Sequence, residues 1–469
     1  MLKHGQFSIY WELTIFFLKG KSMKTKLSGR ESLFIGSMLF GLFFGAGNLI
    51  FPVYLGQQAG QNVWLAIIGL LITGIGLPLL GVAGLGLTES ASVFDLASRV
   101  GRKYAFVFTI LLYLIIGPLF ATPRLATTSF QIGLDPFVSE GHGKLVLLIF
   151  SVIFFAVSWW FARKPSKIMD YVGKWLTPIF LILLAILIIV GLIHPMGSLT
   201  APAQGSYANS PVLSGFTEGY NTMDALASLA FGVVVIDSIK ALGVKKPAAV
   251  ASDTIKSGFI SIVLMGIIYT LLALLGSMSL GQLKLASNGG VTLAQIFNYY
   301  FGGFGNILLA VIVIVACLKT SIGLITSFGE AMHQLFPKIS YQVLIIFASV
   351  LPCIFANVGL TKLIQYSTPA LMFIYPLAIT LIILAVLTPL LGSSKLVYVL
   401  TTIFTLIPAV FSGLNSLSFL FAHQVWYEQT IKVANLLPLS NLGLGWVVPA
   451  IIGMVLGYLF SFIYKKRIV

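Results

Sequence analysis

A glycine-rich stretch interrupts the first long apolar segment of this sequence. Residues 36–60 read GSMLFGLFFGAGNLIFPVYLGQQAG, without a charge, and hold Gly45, Ala46, Gly47 and Asn48 at their middle. Each glycine costs about 1 kcal/mol of helix propensity relative to alanine, and an unpaired backbone amide in hydrocarbon costs several kcal/mol more. A broken helix at bilayer depth is tolerated where its bare N–H and C=O groups line a cavity, and there they bind an ionic substrate and a cation. The stretch therefore favours a transporter.

A second set of polar groups lies in a later apolar segment. Cys317, Thr320 and Ser321 stand at positions i, i+3 and i+4, so they share one face of a helix. One carbonyl and two hydroxyl oxygens on that face are candidate ligands of a cation. The alternative is that both hydroxyls bond the carbonyls of their own helix.

Composition places nearly the whole chain in a lipid bilayer. Of its 469 residues, 58% are hydrophobic and 9% are charged, against about 25% charged in a typical soluble protein. Apolar runs of about 20 residues, the length that crosses a bilayer, recur from end to end. They predict an all-α polytopic protein with about twelve membrane spans, called spans 1 to 12: about 31–53, 62–87, 104–122, 145–162, 171–193, 216–238, 255–276, 293–334, 340–357, 363–389, 395–413 and 442–464. Residues 414–441 contain a short apolar stretch and favour no single structure.

The positive charges predict the orientation of these spans. The formal net charge is +15, and 22 of the 28 Lys and Arg residues lie in segments on the side of the N-terminus. Five lie on the opposite side, so both termini are expected in the cytoplasm. Because the charges are scattered over short loops rather than gathered in one patch, nucleic acid is not an expected partner.

The spans favour two halves of opposite topology. By the charge count, span 1 runs outward and span 6 runs inward, and an odd repeat of five spans inverts the second copy. Span 6 has its own weak middle at residues 224–232, a run of small residues with Gly232 at its end. Alone, this run also fits a helix-packing face; paired with the interruption in span 1, it favours a second broken helix. We therefore expect a disordered cytoplasmic extension over 1–29, a first inverted repeat over 30–195, a second over 214–390, and spans 11 and 12 with a cytoplasmic tail over 395–469.

Three motifs resemble a known family. FFGAGNLIFP followed by GQQAG resembles the signature of the branched-chain amino acid:cation symporter family, the bacterial branched-chain amino acid transport system II carriers. IGPLFATPR at 116–124 and CLKTSIGL at 317–324 resemble its segments in spans 3 and 8. GAGN and ASLAFG at 227–232 are also similar to GLGN and LSLGFG of sodium-coupled neurotransmitter-type transporters. The resemblance covers residues 30–465 and implies a bacterial plasma-membrane carrier with a five-plus-five inverted repeat, broken in spans 1 and 6, like the amino acid–polyamine–organocation transporters.

The resemblance implies leucine, isoleucine or valine as substrate, held at the two broken helices. The substrate carboxylate would meet the N–H groups that begin the outer half of span 1, because a helix N-terminus favours an anion. The ammonium would meet the Phe43 carbonyl and carbonyls freed in span 6 at 226–229. Ser228, Ala230 and Phe231 would line an uncharged side-chain pocket, and Tyr113 would cap the carboxylate or simply pack. The expected substrate-binding residues are Phe43, Gly45, Ala46, Gly47, Asn48, Tyr113, Leu226, Ala227, Ser228, Leu229, Ala230 and Phe231.

The wider fold also implies one sodium ion held by five oxygens. The expected ligands are the carbonyls of Gly41, Phe44 and Cys317 and the hydroxyls of Thr320 and Ser321. Asn48 is a candidate for a second sodium site, but the span 6 position that supplies a hydroxyl ligand there in neurotransmitter-type carriers is Leu226. This difference argues against a second sodium ion.

Three charged residues near the predicted cavity are candidates for coupling or gating. An intramembrane Lys costs about 3 kcal/mol and is a functional candidate by default. If Lys319 faced the hydroxyl pair, its ammonium could replace the ion and imply proton coupling; one helical step rotates it by about 100°, so it could equally face elsewhere. Arg124 and Asp224 could form a gate-like ion pair or remain two solvated vestibule charges.

Other classes of function fit the sequence less well. The five His residues are dispersed, without an HExxH or paired-carboxylate pattern, and no P-loop motif occurs, so neither an enzyme nor an ATP-driven pump is expected. The preferred interpretation is a sodium-coupled importer of branched-chain amino acids with no cofactor beyond the co-transported sodium. Its partners are the substrate and the lipid bilayer, with no obligatory protein partner. The alternatives are a proton-coupled carrier of another neutral amino acid or, with less support, a sensor or channel.

The first 22 residues carry no pattern that fits a membrane span. Their apolar run at 13–18 is too short to cross a bilayer and lacks a signal-peptide cleavage pattern. Met23 is expected to be the natural start, and an interfacial helix is the alternative for residues 1–22.

Overall fold

The computed structural model describes residues 24–45, 47–139, 141–163, 177–392, 394–421, 424–440 and 443–466. Within these ranges the chain forms helices and no β-sheet. The helices up to residue 193 are α1 (Gly29–Phe43), α2 (Gly47–Ala59), α3 (Val63–Leu71), α4 (Leu77–Leu87), α5 (Val93–Ser98), α6 (Arg102–Leu114), α7 (Ala121–Gly133), α8 (Gly143–Ala162) and α9 (Thr177–Ile193).

The second half of the chain continues this helical arrangement. Its helices are α10 (Pro211–Glu218), α11 (Asp224–Ala241), α12 (Pro247–Ser279), α13 (Gly289–Leu335), α14 (Tyr341–Ala356), α15 (Leu360–Leu391), α16 (Lys395–Asn415), α17 (Ser418–Phe421), α18 (Val425–Ala434) and α19 (Val447–Lys466). In the region without a predicted structure, α17 and α18 are too short to cross a bilayer.

Each predicted span corresponds to one helix or to two helices joined by a short turn. Span 2 consists of α3 and α4, which a π-helical turn at Ile72–Gly76 connects. Residues 171–176 of predicted span 5 lie outside the described ranges. Within those ranges, seven helical segments are apolar and long enough to cross a membrane, and three shorter apolar helices accompany them. The chain is an all-α polytopic membrane protein.

Span 1 is broken where the sequence predicts it. α1 ends at Phe43, Phe44 takes an extended backbone (φ −77°, ψ 97°), and α2 begins at Gly47. Ala46 lies outside the described residues. Because the last carbonyls of one helix and the first N–H groups of the next have no partner within their helices, this break offers both acceptors and donors.

Span 6 is also broken, but at a different position from the one predicted. α10 ends at Glu218, a 3₁₀ turn covers Gly219–Thr222, and Met223 adopts the left-handed conformation with φ 62° and ψ 9°. α11 then runs uninterrupted from Asp224 to Ala241. The prediction of a break within residues 224–232 is therefore wrong.

Close packing explains the small residues at 224–232. A Cβ atom added at Gly81 of α4 would lie 2.1 Å from Ser228 Oγ, and one added at Gly232 would lie 2.7 Å from a methyl carbon of Leu85. The small residues of α11 thus let it approach α4, which is the packing alternative that the sequence left open.

Span 3 contains a break that the sequence analysis did not predict. α6 ends at Leu114, and a π-helical turn at Ile115–Leu119 follows, in which Gly117 is non-helical (φ −101°, ψ −120°) and Pro118 lacks an N–H group. α7 continues to Gly133, so this span extends beyond its predicted end at residue 122. Spans 1, 3 and 6 are therefore all interrupted.

Glycines allow span 1 to pack against span 7 at backbone contact. A Cβ atom on Gly56 of α2 would lie 1.9 Å from the Ala273 carbonyl oxygen of α12, and one on Gly276 would lie 1.9 Å from the Val53 carbonyl oxygen. Only residues without a Cβ fit this crossing, as at small-residue interfaces between membrane helices.

Span 6 packs against span 2 in the same way. A Cβ atom on Gly69 of α3 would lie 1.9 Å from the Val212 carbonyl oxygen of α10, and one on Gly215 would lie 1.9 Å from the Ala66 carbonyl oxygen. In a five-span repeat, span 1 corresponds to span 6 and span 2 corresponds to span 7. The contact between spans 1 and 7 is therefore equivalent to the contact between spans 6 and 2. The glycine crossings are thus arranged as an inverted repeat requires.

Filling one of these crossings should destabilise the protein. We expect Gly276→Ala to lower the melting temperature of the purified protein in detergent by several degrees, since an added methyl group in a tight contact typically costs about 1–3 kcal/mol. Gly266→Ala on the same helix is the control, because a Cβ atom there meets nothing within 4 Å. Equal melting temperatures for the two variants would contradict the crossing.

Residues 24–28, at the end of the predicted N-terminal extension, contact the second repeat. The Lys24 N–H group donates to the Gly243 carbonyl at 3.0 Å, and the Leu27 N–H group donates to the Asp253 carboxylate at 2.9 Å. Ser28 caps the N-terminus of α1. Residues 1–23 lie outside the described ranges, so the expectations for that segment stay predictions.

Candidate functional site

A cavity of about 70 Å³ lies where the breaks of spans 1, 3 and 6 meet. Its walls come from the facing ends of α1 and α2, the turn between α6 and α7, the start of α7, the turn before α11, α11 itself and α13. The lining residues are Phe43, Gly45, Gly47, Asn48, Ile116, Ala121, Arg124, Leu125, Thr222, Met223, Asp224, Ala227, Phe231, Thr320 and Leu324. Most of this lining is apolar, and one acidic and one basic side chain belong to it.

Asn48 connects the break in span 1 to spans 6 and 7. Its side chain is 2% exposed, and its Oδ1 accepts the Gly45 N–H group at 2.8 Å. Its Nδ2 donates to Asp224 Oδ2 at 2.7 Å and to the Tyr269 hydroxyl. Because these bonds join α2, α11 and α12, Asn48 fixes the two breaks relative to each other.

Asp224 places a buried carboxylate at the start of α11. It is 4% exposed, and a helix N-terminus stabilises negative charge at this position. Its Oδ2 accepts hydrogen bonds from Asn48 and, at 3.1 Å, from Tyr269. Neither of these two bonds involves Oδ1. An ionisable residue within a membrane is costly and marks a functional site by default.

Arg124 crosses from α7 to the break in span 6 and to α15. Its Nη1 donates to the Asn221 carbonyl at 2.5 Å, and its Nη2 donates to Ser367 Oγ at 2.9 Å. The guanidinium carbon lies 5.0 Å from the centroid of the Phe51 ring. The side chain is 4% exposed, yet its Nε has no hydrogen-bond partner among the described residues.

The structure supports neither sequence-based expectation for these two charges. Arg124 and Asp224 bond other groups and form no ion pair with each other. Both are 4% exposed, so neither is a solvated vestibule charge. They instead line one cavity as two separate buried charges.

Comparison with known proteins identifies the family. The sequence profile of the family described as "Branched-chain amino acid transport protein" matches residues 28–464. The chain belongs to this family. Its members are transport proteins rather than enzymes, which agrees with the expectation drawn from the sequence motifs.

Curated relatives of the family match over nearly their whole length. The branched-chain amino acid permease BrnQ of Lactobacillus delbrueckii subsp. lactis is 47% identical over 448 residues, which cover 95% of this chain and 100% of the relative. BrnQ of Bacillus subtilis is 42% identical over 445 residues, with 95% and 100% covered. The branched-chain amino acid transport system 2 carrier protein of Pseudomonas aeruginosa is 38% identical over 432 residues, with 92% and 96% covered.

Two solved transporters share the fold of this family member. The structure of MhsT in complex with L-phenylalanine matches with a TM-score of 0.53 and 15% identity, covering 94% of this chain and 99% of that one. The inward-facing conformation of Mhp1 matches with a TM-score of 0.56 and 13% identity, covering 93% and 91%. The predicted five-plus-five inverted repeat with spans 1 and 6 broken is confirmed.

The structure brings part of the predicted substrate-binding set together. The members that line the cavity are Phe43, Gly45, Gly47, Asn48, Ala227 and Phe231. Ala46 lies outside the described residues. Tyr113 does not line the cavity, and its hydroxyl lies 3.5 Å from the Ala230 carbonyl oxygen. Their roles in binding stay predictions.

The predicted carbonyl acceptors in span 6 require a correction. Leu226, Ser228 and Leu229 are fully buried in the interior of α11 and do not line the cavity. Their carbonyls belong to continuous helix, because the true break comes earlier at Gly219–Met223. Ala230 is half-buried and also lies outside the lining.

Thr320, one of the predicted cation ligands, lies beside the break in span 1. A Cβ atom on Gly45 would lie 3.8 Å from Thr320 Cγ2. Thr320 Oγ1 donates to the Ala316 carbonyl at 3.1 Å, but a hydroxyl that donates once keeps two lone pairs for a cation. Ser321 Oγ is fully buried and has no hydrogen-bond partner among the described residues.

The remaining members of the predicted cation set occupy different environments. Cys317 is 1% exposed, and Gly41 belongs to the last turn of α1. Phe44 is the C-cap residue that follows that helix. Lys319, which was predicted as a coupling candidate rather than as a cation ligand, is half-buried and does not line the cavity. Of the predicted cation ligands, Thr320 is therefore the one that lines the cavity.

Several residues of this family member contribute to the site without having been predicted from the sequence. Tyr269 bonds Asp224 from span 7, and Ser367 bonds Arg124 from span 10. No local pattern marks either residue, since both act through contacts distant in sequence. The Gly117-Pro118 pair, by contrast, is a recognisable local signal of an interrupted helix.

Proposed function

We propose that this chain imports leucine, isoleucine and valine across the bacterial plasma membrane by sodium symport with alternating access. The observation that carries the proposal is the cavity at the junction of the broken spans 1 and 6, in a chain of the branched-chain amino acid transport family. Broken helices that line a cavity at bilayer depth are the typical substrate and ion sites of secondary transporters.

The start of α2 is the proposed position of the substrate carboxylate. Gly47 and Asn48 begin this helix and line the cavity. Their N–H groups and the positive end of the helix dipole favour an anion. Phe43 ends α1 on the same cavity, so its carbonyl is the proposed backbone acceptor for the ammonium group.

The apolar lining fits a branched aliphatic side chain. Ile116, Leu125, Phe231 and Leu324 line the cavity, and Ala121 leaves room between them. A pocket of this kind gains about 25 cal/mol for each Å² of apolar surface that it removes from water. It also selects against substrates with a charged side chain, for which these five residues offer no partner.

Thr320 and Ser321 are the proposed hydroxyl ligands of sodium. Thr320 lines the cavity beside Gly45, and the buried Ser321 hydroxyl has no hydrogen-bond partner among the described residues. A buried polar atom without a partner costs about 1–3 kcal/mol, and a bound ion would remove that cost. Carbonyls of Gly41, Phe44 and Cys317 are the proposed additional ligands.

Uptake into proteoliposomes tests the function. With an inward sodium gradient, the purified protein should accumulate radiolabelled leucine above its external concentration, and isoleucine and valine should compete. Uptake that stops when the internal and external leucine concentrations are equal would contradict symport. Uptake that ignores sodium and collapses with the proton gradient would contradict sodium coupling and favour the proton-coupled alternative.

Removal of either hydroxyl should weaken the dependence on sodium. We expect Thr320→Ala and Ser321→Ala each to raise the half-maximal sodium concentration for leucine uptake by about tenfold, which corresponds to about 1.4 kcal/mol. The measurement is initial uptake against sodium concentration at a fixed membrane potential.

Matched variants control for the loss of a buried hydroxyl. Ser349 and Thr380 are also buried, and each bonds a carbonyl of its own helix away from the cavity. Ser349→Ala and Thr380→Ala should leave the half-maximal sodium concentration unchanged. Lys319→Gln should also leave the half-maximal sodium concentration unchanged. If Lys319→Gln instead abolishes uptake driven by a proton gradient, Lys319 is the coupling group.

A further inference from the structure

We propose that Asp224 and Arg124 bind the two charged groups of the substrate, Asp224 the ammonium and Arg124 the carboxylate. This inference rests on the proposed function and adds a requirement for substrates that carry both a free α-amino and a free α-carboxylate group. It follows from two buried, opposite charges that share one cavity without bonding each other.

Asp224 retains an acceptor atom for the ammonium group. Asn48 and Tyr269 both donate to Oδ2, which holds the carboxylate in one orientation. Neither of these bonds uses Oδ1, and Asp224 lines the cavity. The shift of the span 6 break to Gly219–Met223 removes the predicted backbone carbonyls from this wall. Asp224 therefore supplies the acceptor that those carbonyls were expected to supply.

Arg124 retains a donor for the carboxylate group. Two of its nitrogens are held by Asn221 and Ser367, whereas its buried Nε has no hydrogen-bond partner among the described residues. Its guanidinium stacks on Phe51, and a Cβ atom at Gly47 would touch the same ring at 3.4 Å. Arg124 thus lies beside the N-terminus of α2, and both can act on one carboxylate.

Complementary charge explains why the pair stays separate. Burying a charge is costly, and a direct Arg–Asp contact would reduce that cost for both residues. Glu218 also acts electrostatically on Arg124, but it does not line the cavity. Here the relief comes from the ligand, because a zwitterion brings one charge of each sign into the cavity. A ligand that lacks either charge loses its interaction with one of the two wall charges, so the pair determines specificity for free amino acids.

Ligand competition on the purified full-length protein tests this pair. Isoamylamine has the leucine side chain and ammonium group but no carboxylate, and isoamyl alcohol is the uncharged control for it. Isocaproate has the side chain and carboxylate but no ammonium group, and isocaproamide is the uncharged control for it. Each control is called the neutral match of its charged compound. For the wild-type protein, each charged compound should compete with radiolabelled leucine at least about tenfold better than its neutral match. If either charged compound competes no better than its neutral match, the proposal is overturned without recourse to any variant.

Two substitutions assign each charge preference to its residue. Asp224→Asn should lower leucine affinity at least about 30-fold, the lower end expected when a buried charge loses its partner, and should remove the preference for isoamylamine over isoamyl alcohol. Arg124→Gln should remove the preference for isocaproate over isocaproamide. A merely structural role would change leucine affinity without erasing one preference selectively, so such a result contradicts the proposal.

A matched control separates this test from general damage and from the proposed function. Asp253 on α12 is another buried carboxylate; it accepts a hydrogen bond from the Leu27 N–H group and does not line the cavity. Asp253→Asn should therefore leave leucine affinity unchanged. A folded Asp224→Asn protein that binds leucine within about threefold of wild type would overturn the ammonium role alone. Wild-type protein that binds no leucine would contradict the proposed function instead.

Discussion

Replacement of Gly47 by leucine is expected to abolish leucine binding while the protein still folds and inserts. A Cβ atom at this position would lie 3.4 Å from the Phe51 ring and 3.7 Å from Thr222 Cα. The rest of a leucine side chain would have to enter the cavity where the substrate carboxylate is proposed to bind. Leucine also removes about 1 kcal/mol of helix penalty and so favours a continuous span 1 over a broken one. The measurement is equilibrium binding of radiolabelled leucine to purified Gly47→Leu.

The control for Gly47→Leu must change a glycine at which an added Cβ atom would contact no neighbouring atom. Gly69 is unsuitable, because its Cβ atom would lie 1.9 Å from the Val212 carbonyl oxygen and would force α3 and α10 apart. Gly266 in α12 meets nothing within 4 Å, so Gly266→Leu should bind leucine like wild type. Binding by Gly47→Leu at the wild-type level would show that the break in span 1 is not the substrate site.

Loss of the Asn48 side chain is expected to lower both leucine affinity and the stability of the protein. Asn48→Ala removes all three side-chain hydrogen bonds of this residue, to Gly45, Asp224 and Tyr269. Each buried polar group left without its partner costs about 1–3 kcal/mol. We therefore expect leucine affinity to fall by at least about tenfold and the melting temperature to fall as well, because the two breaks are no longer held together.

Asn306 offers a matched control for this substitution. It is 4% exposed, and its amide nitrogen bonds Asn298 Oδ1 on the same helix, outside the cavity lining. Asn306→Ala should lower stability and leave leucine affinity within about twofold of wild type. If the two variants bind leucine equally well, Asn48 has no special relation to the site.

The break in span 1 was predictable because its cause is local. Gly45 and Gly47 weaken a helix in a segment that has no reason to be weak in lipid, and this signal needs no knowledge of distant contacts. The inverted repeat was predictable for a similar reason, since loop charges report the direction of each span. The structural likeness to MhsT and Mhp1 confirms this architecture.

The break in span 6 was misplaced because small residues have two physical uses. Ser228 and Gly232 are small so that α11 can pack closely on α4, as the contacts to Gly81 and Leu85 require. The true break ends at Met223, whose left-handed backbone (φ 62°) is uncommon for any residue but glycine. Nothing in the local sequence distinguishes this methionine from one in a regular helix.

The polar network of the site could not be read from the sequence at all. Asn48 and Tyr269 are 221 positions apart, and Arg124 and Ser367 are 243 apart. Each pair meets only because the two repeats cross, so its geometry depends on the whole fold. Sequence patterns nominated Asn48, Arg124 and Asp224 as candidates, and only the structure shows which groups they bond.

Cross-linking with photo-leucine, a diazirine analogue of leucine, tests the central claim most directly. The protein is irradiated with the analogue in proteoliposomes, and labelled residues are located by mass spectrometry with and without excess leucine. The account predicts that the labels removed by leucine fall on cavity residues such as Phe43, Ala227, Phe231 and Thr320. Labels that leucine removes from α16 or α19, with none in the cavity, would contradict a substrate site between the broken spans.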